Sequence, residues 1–146
     1  MSVPTSKSKV CFFFQDVQIA LRDRTRLKRF IGSIVSKEGK KLGSLNIIFC
    51  TDAALLAVNR QFLQHDYFTD IITFDLSGGS HIEAEIYIST DRVKDNARSL
   101  NVSVKSELHR VIFHGVLHLC GFGDKTKAAK TKMTAMENHY LNQYFR

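Results

Sequence analysis

IITFDLSGGSHIEAEIYIS, residues 71–89, decides the architecture. From Ile82 onward Ile82, Ala84, Ile86 and Ile88 alternate with Glu83, Glu85 and Tyr87, the period of two that marks a strand with one buried face. Ile71 to Leu76 is a second β-rich run, and the Ser77-Gly78-Gly79-Ser80 turn between them closes an antiparallel hairpin. Upstream, Val10 to Gln15 (VCFFFQ) and Ser44 to Thr51 (SLNIIFCT) read as further strands. A helix from about Thr25 to Lys37 carries Leu27, Phe30, Ile31 and Ile34 on one face, and another, capped by Thr51 or Asp52, carries Leu55, Leu56, Val58, Asn59 and Phe62 and ends near His65.

Downstream of the hairpin, Thr90 or Asp91 is positioned to cap a helix to about Leu100, and Ser103 a longer one from Val104 to Cys120 that Gly121 stops. A last helix covers about Thr126 to Tyr144, with Met133, Met136, Tyr140 and Leu141 on one face. The order is βαββαβ-like, then helices. It points to a single α+β domain over residues 1–146, a mixed four-stranded sheet packed with about five helices.

Composition agrees with one compact unit. The chain has 146 residues, 44% of them apolar, a single proline and no repeated or low-complexity segment. Cys11, Cys50 and Cys120 are odd in number and each sits in an apolar stretch, so they read as reduced core residues. The start, MSVPTSKSKV, looks disordered and lacks the apolar core of a secretory signal, and no apolar run approaches the ~20 residues that span a bilayer. A cytoplasmic protein with no membrane partner is expected.

Net charge is +7 and uneven: residues 1–50 carry ten basic against three acidic groups, residues 51–100 four against eight, and residues 101–146 seven against three. Basic ends suit a polyanion, RNA first, because Lys and Arg gain affinity by displacing counterions from phosphate. A solvated basic surface kept for solubility would look the same.

The chemistry concentrates in FHGVLHLCGFGD, residues 113–124. His114 and His118 stand four apart on a helix, hence on one face, and Gly121 lets the chain reverse and return Asp124 beside them. Two imidazoles and a carboxylate match a catalytic zinc site, with three protein ligands and a fourth position open. The competing reading has both histidines facing the sheet and Asp124 capping the final helix. A peptidase would carry HExxH, whose Glu is the general base; Gly115 occupies that place here. Deprotonated ligands imply that metal occupancy falls below about pH 6.

These residues resemble the YbeY-type rRNA maturation factors. HGVLHLCGFGD is similar to that family's H-G-x-L-H-L-x-G-Y-D-H; VNRQFLQHDYFTDIITFDL resembles its LN-x-x-Y-R-G-x-D-x-x-T-D-V-L-S-F segment, and EAEIYISTDRV its G-D-I-x-I-S element. The likeness runs from about Val58 to Glu137. It implies an α+β fold with a zincin-like metal site at a helix end, one divalent ion, expected to be Zn²⁺, on His114, His118 and Asp124, and hydrolysis of single-stranded RNA in ribosomal RNA maturation, with the ribosome as partner. Two positions depart from the pattern: Asp124 stands in place of a third histidine, and Leu63 in place of an arginine. Arg60, one turn earlier, is the candidate to replace that arginine.

Lys125 and Lys127, with Lys130 and Lys132, crowd the start of the last helix and are candidates to hold phosphate. His65, Asp66, Thr69 and Asp70 are candidates for the groove, although Asp66 and Thr69 equally suit a turn from helix to strand. Phe12 to Phe14 read as core rather than as base-stacking platforms. Two rival functions stay open: an RNA-binding protein with a structural ion, for which Cys120 would serve as fourth ligand, and a metal-dependent hydrolase of another substrate class.

Overall fold

The strand with the clearest alternation lies in the interior of the sheet. In the computed structural model, which describes residues 9–146, His81–Ser89 forms β4, and its neighbours are β1 (Val10–Phe14), β2 (Lys41–Cys50) and β3 (Ile71–Asp75). The sheet order is β1-β2-β4-β3. β2 runs parallel to both β1 and β4, and β3 antiparallel to β4, with Ile71 opposite Ile88 and Asp75 opposite Ala84. The hairpin and the mixed four-stranded sheet are as expected from the sequence. The N-terminal segment expected to be disordered, residues 1–8, lies outside the described residues.

Five helices complete the described chain: α1 (Arg24–Lys37), α2 (Asp52–Leu63), α3 (Thr90–Leu100), α4 (Val104–Leu119) and α5 (Lys127–Tyr144). The order is therefore βαβαββααα, as the elements read one by one from the sequence already give; the βαββαβ-like summary leaves out the helix, α2, that is read between β2 and the hairpin. Thr51 caps α2 and Ser103 caps α4, each accepting a backbone N–H with its hydroxyl. The cap of α3 is Ser89, one residue before Thr90 or Asp91: its hydroxyl accepts from the Arg92 N–H, which leaves Thr90 inside the helix.

Ile82, Ala84, Ile86 and Ile88 face a core built with Leu27, Ile31 and Ile34 of α1 and Leu108, Ile112, Val116 and Leu117 of α4. Burying each such aliphatic side chain stabilises the fold by roughly 1.5–3 kcal/mol relative to leaving it in water. On the opposite face Tyr87, Ile72 and Phe74 pack with Leu55 of α2. His109 belongs to the first core: it is buried, its Nδ1 donates to the Lys105 carbonyl at 2.7 Å, and burial lowers its pKa. Cys50 and Cys120 are buried and Cys11 half-buried, as their apolar surroundings required. No helix among the described residues is long and apolar enough to cross a membrane.

Two glycines set α4 in place. Gly115 lies against the sheet: a Cβ there would come within 2.8 Å of Ile71 Cδ1 and 3.0 Å of Ile86 Cδ1. It is this glycine, and neither histidine, that α4 turns toward the strands. A glutamate at this position, as HExxH requires, would be driven into the sheet. Gly121, at φ +104°, ends the helix. The Phe122 N–H donates to the Leu117 carbonyl at 3.1 Å and the Gly121 N–H to the His118 carbonyl at 3.0 Å, the paired bonds of a Schellman reversal. Gly121→Ala has ample room but the wrong backbone, so we expect it to lower unfolding free energy by about 1–3 kcal/mol, read as a lower urea midpoint at unchanged slope.

Candidate metal centre

Close packing at Gly115 fixes the azimuth of α4, and that decides where the histidines point. His114 and His118 project from its last turns with ring centroids 4.5 Å apart, and the reversal at Gly121 returns Asp124 to them. Both Nε2 atoms converge on a single oxygen, Asp124 Oδ2, at 3.3 Å for His114 and 3.2 Å for His118. One candidate ligand atom from each of the three residues lies within 4.8 Å of the other two. The α5 cap is Thr126, whose hydroxyl accepts from the Ala129 N–H. Asp124 is thereby free of the capping role that the sequence left open for it.

The other nitrogen of each ring is fixed by a different device. His118 Nδ1 lies 2.8 Å from the Phe122 carbonyl oxygen, which only accepts, so Nδ1 carries the proton. His114 Nδ1 lies 2.6 Å from Glu137 Oε2 on α5, which likewise requires a donor. Glu137 is itself held by Arg110, Nη1 to Oε1 at 2.8 Å, while Arg110 Nη2 donates to Asn138 Oδ1 at 3.0 Å. With protons committed to both Nδ1 atoms, two Nε2 lone pairs face a carboxylate oxygen. Three electron-rich atoms at this spacing repel unless a proton or a cation lies among them. The donor set therefore fits a divalent ion, and the carbonyl and carboxylate behind the rings are the outer partners that ligating imidazoles use.

More acid lies around His114. Asp70 is raised in pKa, chiefly by burial, with the His114 charge and the Asn96 amide, which donates at 3.2 Å, acting against the rise. Glu107 is also raised by burial, with Arg110 3.7 Å away opposing it. For His114, burial favours the neutral ring, but the Glu137 hydrogen bond and charge, joined by Asp124 and Asp70, outweigh it and leave a net rise. A cation here would meet several carboxylates already in place.

The three residues open onto a cavity of about 600 Å³, whose walls include Leu63, His65, Tyr67, Thr69, Asp70 and Lys125. The Asp124 side chain keeps 40% of its exposure and the imidazoles 21% and 28%, so the group is reached from solvent. A second cleft of about 290 Å³ opens behind His114, lined by Glu107, Arg110 and Glu137 among others.

Other sequence candidates fall out differently. Lys125 lines the cavity, whereas Lys127, on the first turn of α5, does not. Arg60 is ion-paired with Asp66 on the surface and is not among the cavity walls; reaching a phosphate would require that pair to open. Thr69 lines the cavity while its hydroxyl donates to the Ile71 carbonyl at 3.3 Å, whereas Asp66 is not among the walls and serves the helix-to-strand turn through its pair with Arg60. Cys120 is not a fourth ligand: it is buried, stands outside the three-residue group, and its thiol pKa is pushed up to about 11 by burial and by Glu38. Sequence reasoning missed Glu137 and Arg110. A carboxylate on the apolar stripe Met133, Met136, Tyr140 was the available signal.

The family model for Endoribonuclease YbeY matches residues 13–145. Endoribonuclease YbeY of Cytophaga hutchinsonii is 49% identical over 138 residues, 93% of this chain and 96% of its own. That of Parabacteroides distasonis is 41% identical over 132 residues, 90% and 93% of the two chains. The solution structure of TM1509 from Thermotoga maritima superposes with a TM-score of 0.61 at 28% identity, covering 93% of this chain and 89% of that one. A match over nearly the whole length, with close relatives of equal size, leaves one assignment: the chain belongs to the Endoribonuclease YbeY family.

Proposed function

We propose that this protein is a metal-dependent endoribonuclease that hydrolyses single-stranded RNA in ribosomal RNA maturation in the cytoplasm, with one divalent ion, Zn²⁺, on His114, His118 and Asp124. The observation that carries this reading is the convergence of both Nε2 atoms on Asp124 Oδ2 at the wall of an open cavity. When bound, the ion supplies Lewis-acid polarisation of a phosphoryl oxygen and a water acidic enough to attack near neutral pH. Glu137 and the Phe122 carbonyl hold the rings so that only Nε2 faces the cavity. Lys125, on the cavity wall, attracts RNA phosphate, and Lys127, exposed beside it, adds to the field.

Against the reading of a purely structural ion stands the count of ligands. Closed zinc sites take four, mostly sulfur, whereas this group has three, its aspartate is partly exposed, and Cys120 lies elsewhere. Against a peptidase stands Gly115, packed where a general base would be needed.

Incubating the purified protein with single-stranded RNA and with a peptide library tests the assignment. We expect metal-dependent RNA cleavage that a chelator abolishes and that His118→Ala lowers by roughly a hundredfold or more; peptide cleavage, or RNA cleavage indifferent to both, would overturn it. Metal content by elemental analysis should read one ion per chain in the wild type.

Glu137→Gln should weaken metal binding by roughly 10–100-fold in a chelator-competition titration, because an amide presents a weaker acceptor to His114 Nδ1. The pH dependence has a definite sign. Proton and metal compete for the same nitrogens, and His114 holds its proton more tightly than an ordinary imidazole. The apparent affinity for the ion should therefore weaken as pH falls through the His114 titration, which lies above the ordinary imidazole value of about 6.5. Titration of bound metal between neutral and mildly acid pH checks it.

A further inference from the structure

The cavity lining includes an aromatic pair. His65 and Tyr67 stack on each other with ring centroids 5.1 Å apart and planes at 20°, and His65 Nδ1 and the Tyr67 hydroxyl share a hydrogen bond at 3.0 Å. Both residues are exposed, Tyr67 to 56%, and both line the cavity onto which His114, His118 and Asp124 open. Leu63 continues the same wall as an apolar surface. An exposed aromatic pair lining that cavity has no core to serve, and its rings offer flat apolar surface to a ligand.

The pair is also held in place. Asn59, 1% exposed on α2, grips the loop from two sides: its side-chain amide donates to the Tyr67 carbonyl at 2.9 Å, and its own carbonyl accepts the His65 N–H at 3.1 Å. Gln64, the C-cap of α2, takes the left-handed conformation at φ 55° and turns the chain out of the helix into this loop. The Arg60–Asp66 ion pair closes the loop on its outer side. A loop fastened this way pays little ordering entropy when a ligand settles on it.

We propose that His65 and Tyr67 form a nucleobase subsite: an unpaired base of the RNA stacks on the free face of the pair while a neighbouring phosphodiester reaches the His114–His118–Asp124 group. This rests on the ribonuclease reading above. Every base has a π-face, so the subsite accepts single strands without requiring one sequence. A base locked in a duplex stack is denied to it, which couples cleavage to unpaired segments through a contact that carries no charge.

The test uses the full chain and a short phosphorothioate-linked single-stranded RNA in which one base at a time is replaced by a fluorescent adenine analogue or removed to leave an abasic residue. In the wild type the analogue should be quenched at one register, and an abasic residue at that register should raise Kd about tenfold. Tyr67→Ala should raise Kd by the same factor, lose the quench and make the abasic residue cost nothing further, the non-additivity of a shared contact; Tyr67→Phe should stay within about threefold of wild type. Because Tyr67 is exposed, its variants should fold, and the quench and abasic scan on the wild type need no variant at all. Wild-type affinity in Tyr67→Ala, or an abasic penalty undiminished in it, overturns the subsite while RNA cleavage by the wild type leaves the ribonuclease reading standing. A wild type that neither binds nor cuts RNA overturns both.

Discussion

Each imidazole of the centre is fixed through the nitrogen that faces away from it. His118 leans on a carbonyl that exists where it does because Gly121 adopts a conformation few other residues tolerate, and His114 leans on a carboxylate from a helix at the far end of the chain. Take away either support and the two lone pairs no longer converge on Asp124. The sheet, the close approach at Gly115 and the docking of α5 together set up this pair of hydrogen bonds.

Much of this was legible in the linear chain, and for a physical reason. Period-two and helical patterns are local, so the hairpin, the strands flanking it and the five helices could be placed to within a few residues. The histidine spacing and the helix-breaking glycine are local too, and they brought His114, His118 and Asp124 together before any coordinates. The cap of α3 slipped by one residue because Ser89, Thr90 and Asp91 are all competent caps and only the sheet register chooses among them.

What stayed hidden is what the fold joins across distance. Glu137 stands 23 residues beyond His114, and Arg110 reaches it over 27; the carboxylate on an apolar stripe hints that Glu137 is buried, but nothing local says which side chains it meets. Cys120 shows the converse. Its place two residues after His118 kept it open as a fourth ligand in the rival reading of a structural ion, yet it is buried in the core, as its apolar surroundings suggested, and burial keeps the thiol protonated. Arg60 was judged by its spacing from Leu63, and its carboxylate partner emerged only once the loop at Asp66 had closed back on α2.

The dependence of His114 on α5 sets an order of assembly. A growing chain that has just exposed residues 113–124 already owns both histidines and the aspartate, but the carboxylate that orients the first ring has not been made. Under the function proposed above, the ion is held at full strength only after the terminal helix has docked and Glu137 meets His114.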